Sequence, residues 1–336
     1  MTTLRLHRVD NTDWGRYHSP WFKKFANYLT QYFDIEWKDY ATHTSEGSAH
    51  AELLTEVPHF GKNPPMSDVD CIIENCNNKE FVILTFSEFF NSYMVHSFRS
   101  ENCKNALLAH FGYESAYHWL KNENLLHKLK NLKPWFFGSY CEYDIDYYRQ
   151  NRKNNKLIDN KIFWKGLGTG YFPGHAIYRD TINHIDANLT DTSYVFDFNQ
   201  YMSEMCIYKL ALSFYMDLDK NNNAFQYPGE FCYRDMEYCS IGLPFIRIEY
   251  KDNVHNGLIP FKHYISISRE EATKVFIRDG NRGVGQLIQD KFQEFIQEDT
   301  FLDYIAQNQI QWFDSYCRWP NSAKLTLELS EIDKWI

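Results

Sequence analysis

The chain has no G-x-G-x-x-G dinucleotide fingerprint, no P-loop and no G-x-S-x-G nucleophile turn. A standard NAD site, a P-loop NTPase and a serine hydrolase of the α/β type are therefore unsupported. No run approaches the roughly 20 apolar residues of a membrane span, and the stretch from Met1 to Trp14 lacks an apolar signal-peptide core. Eight cysteines (Cys71, Cys76, Cys103, Cys141, Cys206, Cys232, Cys239, Cys317) occur without C-x-x-C pairs or zinc spacing. They read as reduced, mostly buried thiols, and the expected location is cytoplasmic. Positive charge is in deficit: 35 Lys and Arg against 44 Asp and Glu give a net charge of −9. That balance argues against a broad nucleic-acid footprint, while leaving room for a local basic groove. Basic residues do gather at Lys128 to Lys130 and from Arg149 to Lys156.

What the chain does contain is an ordinary globular composition over 336 residues, long enough for two domains, with 44% hydrophobic and 24% charged residues. Aromatics reach 18%, with 24 Tyr, 26 Phe and 9 Trp. Such rings suit sugar stacking, although most of them belong in a core.

Apolar periodicity predicts a strand over Leu4 to Val9, a helix over Trp21 to Tyr32 and a strand over Asp34 to Trp37. Residues 41 to 66 are polar, end in Asn63-Pro64-Pro65, and read as a long loop. Further strands are expected at Val69 to Ile73, Glu80 to Phe86, Ala106 to Phe111 and Trp135 to Gly138, with a helix over Ser115 to Leu129. This alternation predicts a parallel sheet with helices on both faces. Residues 149 to 160 are polar and basic with no hydrophobic period, and read as a linker. A second strand, glycine-rich loop and helix follow at Lys161 to Trp164, Lys165 to Gly170 and His175 to Ile185. Gln200 to Phe214 reads as a helix passing into a strand from Tyr208. Leu258 to Ile265 reads as a loop and strand, followed by helices at Arg269 to Ile277, Gly285 to Ile296 and Thr300 to Arg318.

The most informative stretch is Phe225 to Ile248. A Tyr227-Pro228-Gly229 turn opens it. A helix-length run follows, in which Arg234 and Glu237 lie three apart and share a face. Gly242-Leu243-Pro244 stops the helix, and Phe245 to Ile248 forms an apolar strand. R-x-x-E is also the spacing of an ordinary surface ion pair, so its surroundings carry the reading.

Those surroundings resemble the donor half of GT-B glycosyltransferases, in which a glutamate precedes a glycine by five residues and an x-Pro and an apolar strand follow. Glu237, Gly242 and Pro244 match that register. The R-x-x-E helix is similar to that of the phage DNA glucosyltransferases of this fold. The resemblance implies that Arg234 binds the diphosphate and Glu237 the ribose hydroxyls, roles that suit a guanidinium fork and a carboxylate acceptor. It extends to Lys165, Gly166 and Arg179 as donor-phosphate contacts, and to Tyr227, Gly229 and Glu230 beside the sugar. Glu230 stands seven residues before Glu237, as in retaining enzymes, although Glu230 would equally favour a helix N-terminus. A looser likeness to CAP10-type glycosyltransferases lies in Lys161 to Gly166, Tyr208-Lys209 and Leu258 to Ile267.

The implied fold is α/β, with two Rossmann-like domains and an interdomain cleft: residues 1–150 for the acceptor, 151–318 for the donor, and a tail at 319–336 returning toward the first domain. The implied activity moves a sugar from a nucleotide-sugar, a UDP-sugar above all, to an acceptor hydroxyl. A hydroxymethylated base in DNA is the first acceptor, a glycan or protein hydroxyl the second, and a non-catalytic nucleotide-sugar-binding protein is the rival. An inverting transfer needs a base for the hydroxyl proton. Glu114, Asp13 and His18 stand after predicted strand ends, as does Glu88; Glu114 is preferred because the related phage enzymes carry an aspartate after the corresponding strand. No metal or other cofactor is expected. Asp144-Ile-Asp146 and Asp217-Leu-Asp219 match D-x-D, a device of the other large glycosyltransferase fold, and are set aside. His255 and His263 flank a turn and read as structural.

Overall fold

A computed structural model describes residues 2–8, 27–39, 51–54, 82–85, 105–109, 121, 124, 131–135, 144–165, 180–191, 197–213, 233–250, 257–321 and 324. The chain divides into two compact units, Met1–Tyr140 with Tyr316–Ile336, and Cys141–Ser315.

Among the described residues the first unit holds two three-stranded sheets. One runs β2-β1-β3, from β1 (Thr2–Arg8), β2 (Phe33–Asp39) and β3 (Ala51–Leu54); the other runs β4-β5-β6, from β4 (Val82–Thr85), β5 (Asn105–Ala109) and β6 (Asn131–Trp135). Every pairing is parallel. Four expected strands are present within a few residues. The expected strand at Trp135 to Gly138 lies earlier, as β6, and β3 falls inside the stretch read as a loop. Four residues, Ala-Glu-Leu-Leu, are too short for periodicity to separate from a loop; parallel pairing with β1 makes them a strand. Pro134 lacks a donor, and β6 sits at the edge of its sheet, where proline is tolerated. Residues 27–29 are helical, as expected, whereas Val69 to Ile73 and most of Ser115 to Leu129 lie outside the described residues.

The second unit is built on one five-stranded parallel sheet of order β11-β10-β9-β7-β8, from β7 (Ile158–Phe163), β8 (Thr190–Asp191), β9 (Tyr208–Leu212), β10 (Phe245–Ile248) and β11 (Ile265–Ile267). Among its described residues the helices include α1 (Ile145–Asn154), α2 (Phe198–Met205), α3 (Tyr233–Ile241), α4 (Arg269–Phe295) and α5 (Asp299–Tyr316). Ser268 caps α4 by accepting from the Glu271 amide at 3.1 Å. Gly280, at φ 64°, breaks α4 into the two helices the sequence predicts.

The linker reading of residues 149 to 160 is overturned, since they hold the end of α1 and the start of β7. Its hydrophilicity has a structural use. Arg149 donates to the Ser240 carbonyl at 2.7 Å and pairs bidentately with Asp314 at 2.8 and 3.0 Å. Arg152 donates to the Gly242 carbonyl at 3.1 Å and to the Tyr208 carbonyl. Two cations three residues apart thus cap the carbonyl end of α3, where the helix dipole is negative.

The two faces of this sheet differ in chemistry. Ile162, Leu210, Leu212, Ile246, Ile248, Ile265 and Ile267 form an aliphatic face against Ala272, Val284, Ile288 and Phe292 of α4 and Leu302 and Ile305 of α5. The opposite face carries Phe163 and Phe245, whose rings meet Tyr238 of α3 at 6.1 and 5.6 Å. Full burial of each such side chain is worth about 1.5–3 kcal/mol, so Tyr238 holds α3 against the sheet while Arg234, Asp235 and Glu237 of the same helix reach Lys165, Arg247 and Tyr201.

Candidate functional site

In a sheet of this order the chain leaves β7 for one side, returns past it to β9, and then continues outward. The reversal between β7 and β9 opens a crevice at the carboxyl ends of the strands, the usual ligand position in open parallel sheets. Lys165 lies two residues beyond β7, Ser213 directly follows β9, and α3 brings its first turn to this edge.

α3 is positioned at both ends. At its C-terminus Gly242 has φ 67° and the Leu243 amide donates to the Tyr238 carbonyl at 2.9 Å, a Schellman closure that needs the left-handed region. A Cβ there would stand 2.8 Å from Ile310 Cδ1. At the N-terminal turn Asp235 is fully buried, pairs with Arg247 at 2.7 Å, and accepts from the Tyr250 hydroxyl at 2.9 Å and from Ser213. Arg247 is 1% exposed and stacks over Tyr250 at 3.9 Å. A buried pair is tolerated only when its remaining groups are hydrogen-bonded, and here the Ser213 and Tyr250 hydroxyls serve the Asp235 carboxylate.

With α3 so fixed, Arg234 meets the residues after β7 and Glu237 meets α2. Arg234 Nη2 donates to the Lys165 carbonyl at 2.6 Å, and its guanidinium lies 5.5 Å from the centre of the Trp164 ring. The Lys165 ammonium, 4% exposed, pairs with Glu204 of α2 at 3.1 Å. One helical turn back on α2, the Tyr201 hydroxyl donates to Glu237 Oε2 at 2.7 Å. Burial and the Glu237 charge hold Tyr201 well above the usual phenol range, so it stays a donor. Two cations and two carboxylates thus gather on one edge, a set able to bind a phosphate and a vicinal diol.

Of the sequence-predicted donor residues, Lys165, Arg234 and Glu237 are brought together. Gly166, Arg179, Tyr227, Gly229 and Glu230 lie outside the described residues, as do Glu114, Asp13, His18 and Glu88. Tyr201, Glu204, Asp235 and Arg247 were not singled out by sequence. Arg247 carried a legible signal, because a charge inside the apolar run Phe-Ile-Arg-Ile needs a buried partner. Tyr201 and Glu204 shared only an i,i+3 spacing. Asp144 precedes α1 at φ 53° and Asp146 lies in its first turn, so that D-x-D belongs to a helix start. His263 is buried, accepts from the Ile259 amide at 2.8 Å and is a structural group, as expected. Cys206, Cys239 and Cys317 are buried thiols. Among the described residues no three His, Cys, Asp or Glu side chains gather for a metal ion, and no helix is long and apolar enough to cross a membrane.

No protein-family model and no curated protein matches the sequence. Solved structures match over nearly the whole chain. HepE of Anabaena in complex with UDP is similar at a TM-score of 0.55 and 10% identity, over 98% of this chain and 99% of that one. Sucrose-phosphate synthase of Thermosynechococcus elongatus is similar at 0.58 and 7%, over 98% of each chain. The phage T4 α-glucosyltransferase, solved with UDP and a 13-mer DNA containing an HMU base, is similar at 0.52 and 8%, over 98% and 99%. At these identities the likeness speaks for the fold: this chain shares the fold of the GT-B glycosyltransferases, among them ones solved with UDP bound.

Proposed function

We propose that the chain is a glycosyltransferase that takes a sugar from a nucleotide-sugar, a UDP-sugar above all, and transfers it to an acceptor hydroxyl. The observation that carries this reading is the convergence of Lys165, Arg234 and Glu237 at the strand-order reversal. Arg234 and Lys165 would neutralise the diphosphate as it leaves, the main electrostatic task of such a reaction, and Glu237 would accept from the ribose hydroxyls. Gly166 and Arg179 would add phosphate contacts, and Tyr227, Gly229 and Glu230 would line the sugar. No metal enters this scheme, since the two side-chain cations supply the charge. Residues 151–318 hold the donor in this reading and residues 1–150 the acceptor, with 319–336 returning to the first domain. Glu114 is assigned as the base for the hydroxyl proton, ahead of Asp13 and His18. These residues follow β5 and β1, whose carboxyl ends are where ligands of parallel sheets bind.

For the acceptor, the R-x-x-E register and the DNA-bound structural neighbour favour a hydroxymethylated base in DNA. The net charge of −9 favours a glycan or protein hydroxyl instead. The test starts with the donor: melting of the wild type and Arg234→Ala with a series of nucleoside diphosphates and nucleotide-sugars. UDP or a UDP-sugar stabilising only the wild type is the expected result. A folded wild type stabilised by none of them overturns the reading. UDP release from the stabilising donor, with hydroxymethylated DNA or oligosaccharide added, then chooses the acceptor; stabilisation without release under any acceptor identifies a binding protein.

A further inference from the structure

We infer that Glu204 of α2 is an internal competitor of the donor's diphosphate for Lys165, so that this carboxylate sets how tightly the nucleotide binds. The inference rests on the donor reading above. The Lys165 ammonium is almost fully buried, and its pairing with Glu204 at 3.1 Å offsets the cost of holding a cation there. A diphosphate reaching the same ammonium contends with that carboxylate: the three N–H donors can serve both, but the two anions repel each other and divide one positive charge.

The neighbouring contact on α2 repeats the logic. Tyr201, three residues before Glu204, places its hydroxyl on Glu237 at 2.7 Å, the group read as the ribose acceptor. One helical face therefore presents a carboxylate to the phosphate-binding cation and a hydroxyl to the diol-binding carboxylate. In chemical type the two side chains match the two parts of a nucleoside diphosphate. α2 is fixed well enough to present them: Asp197 caps it by accepting from the Gln200 amide at 2.8 Å, and Met202 and Met205 are buried. The consequence is a donor site in which the ligand's groups share their protein partners with internal ones. Affinity is then lower than the same cations would give without competitors, which favours release of the nucleotide after transfer.

Glu204→Gln keeps the size of the side chain and one acceptor oxygen and removes its charge. The experiment is calorimetric titration of UDP and of uridine into the full-length wild type, Glu204→Gln, Lys165→Met and the double variant, with thermal melts as the folding control. The expected result is UDP binding about tenfold tighter in Glu204→Gln, uridine binding unchanged, weaker UDP binding in Lys165→Met, and no gain from Glu204→Gln in the Lys165→Met background. If Lys165→Met weakens UDP and Glu204→Gln leaves it unchanged or weaker, the competition is refuted while the donor reading stands. If the folded wild type binds no UDP, or Lys165→Met binds it as well as the wild type, the placement of Lys165 in the donor site fails first and the competition with it. A gain for uridine equal to that for UDP points to loosening of the fold and also overturns the inference.

Discussion

At the scale of single residues, this protein concentrates its cost at a few buried polar groups. Asp235 and Arg247 are both essentially inaccessible and share Ser213 and Tyr250 as partners. Removing one member leaves the other charge unpaired in the core, so Arg247→Met is expected to destabilise by about 3–5 kcal/mol in urea unfolding. His263 gives a pH signature. Its Nδ1 accepts from a backbone amide, and burial together with nearby Lys262 pulls its pKa down to about 4. The folded protein then refuses a proton that the unfolded chain takes up near pH 6.5, so between these values stability rises with pH and is lost on acidification. The full difference is on the order of 3 kcal/mol. Urea midpoints from pH 4 to 7 should therefore climb less steeply in His263→Asn, which keeps an acceptor but does not titrate. Burial also pushes the Cys206 thiol up to about 11, and it donates to the Tyr148 carbonyl. That cysteine is expected to resist alkylation in the native protein and to react once unfolded.

At the scale of elements, α3 is the piece on which the site depends, and its two ends are secured by different physics. The N-terminal turn is held by the Asp235 network; the C-terminal end is closed by Gly242 and by two arginines from α1. Gly242→Ala meets both the left-handed backbone cost of about 1–2 kcal/mol and a contact with Ile310 already closer than real Cβ atoms make. A loss of at least about 2 kcal/mol is expected, with UDP affinity falling further than stability alone explains, because Arg234 and Glu237 ride on this helix. Arg149→Ala should cost about 1–2 kcal/mol through the lost carbonyl cap and the half-exposed Asp314 pair. A change within a few tenths of a kcal/mol would mean that the cap is dispensable.

At the scale of the whole molecule, each sheet is built of parallel strands whose carboxyl ends lie along one edge, where ligands of such sheets usually bind. Saturating nucleotide should therefore stabilise the protein by mass action. At one hundred times its dissociation constant UDP adds about 2.7 kcal/mol, which for the 141–315 unit corresponds to a rise in melting temperature of about 5–10 °C. No rise under those conditions would separate the fold from the donor chemistry proposed for it, since one fold hosts many functions.

Much of this was legible in the amino-acid order because it is local. The end of α3 at Gly242, the strand Phe245 to Ile248, the break between two helices near Gly280 and the placing of Arg234 and Glu237 on one helix all follow from glycine conformation, proline and apolar period. β3 was not legible, because four residues become a strand only when another strand pairs with them. Nor was α1, whose polar face makes sense only once its arginines meet the carbonyls of a helix some ninety residues further on. The same holds for the site. Sequence marked Arg234 and Glu237 as one R-x-x-E face and Lys165 apart from them, but Tyr201 and Glu204 enter through contacts at separations of 36 and 39 residues. Local conformational preference is written residue by residue; which charges share a low-dielectric edge is decided by strand order, and strand order exists only in the folded chain.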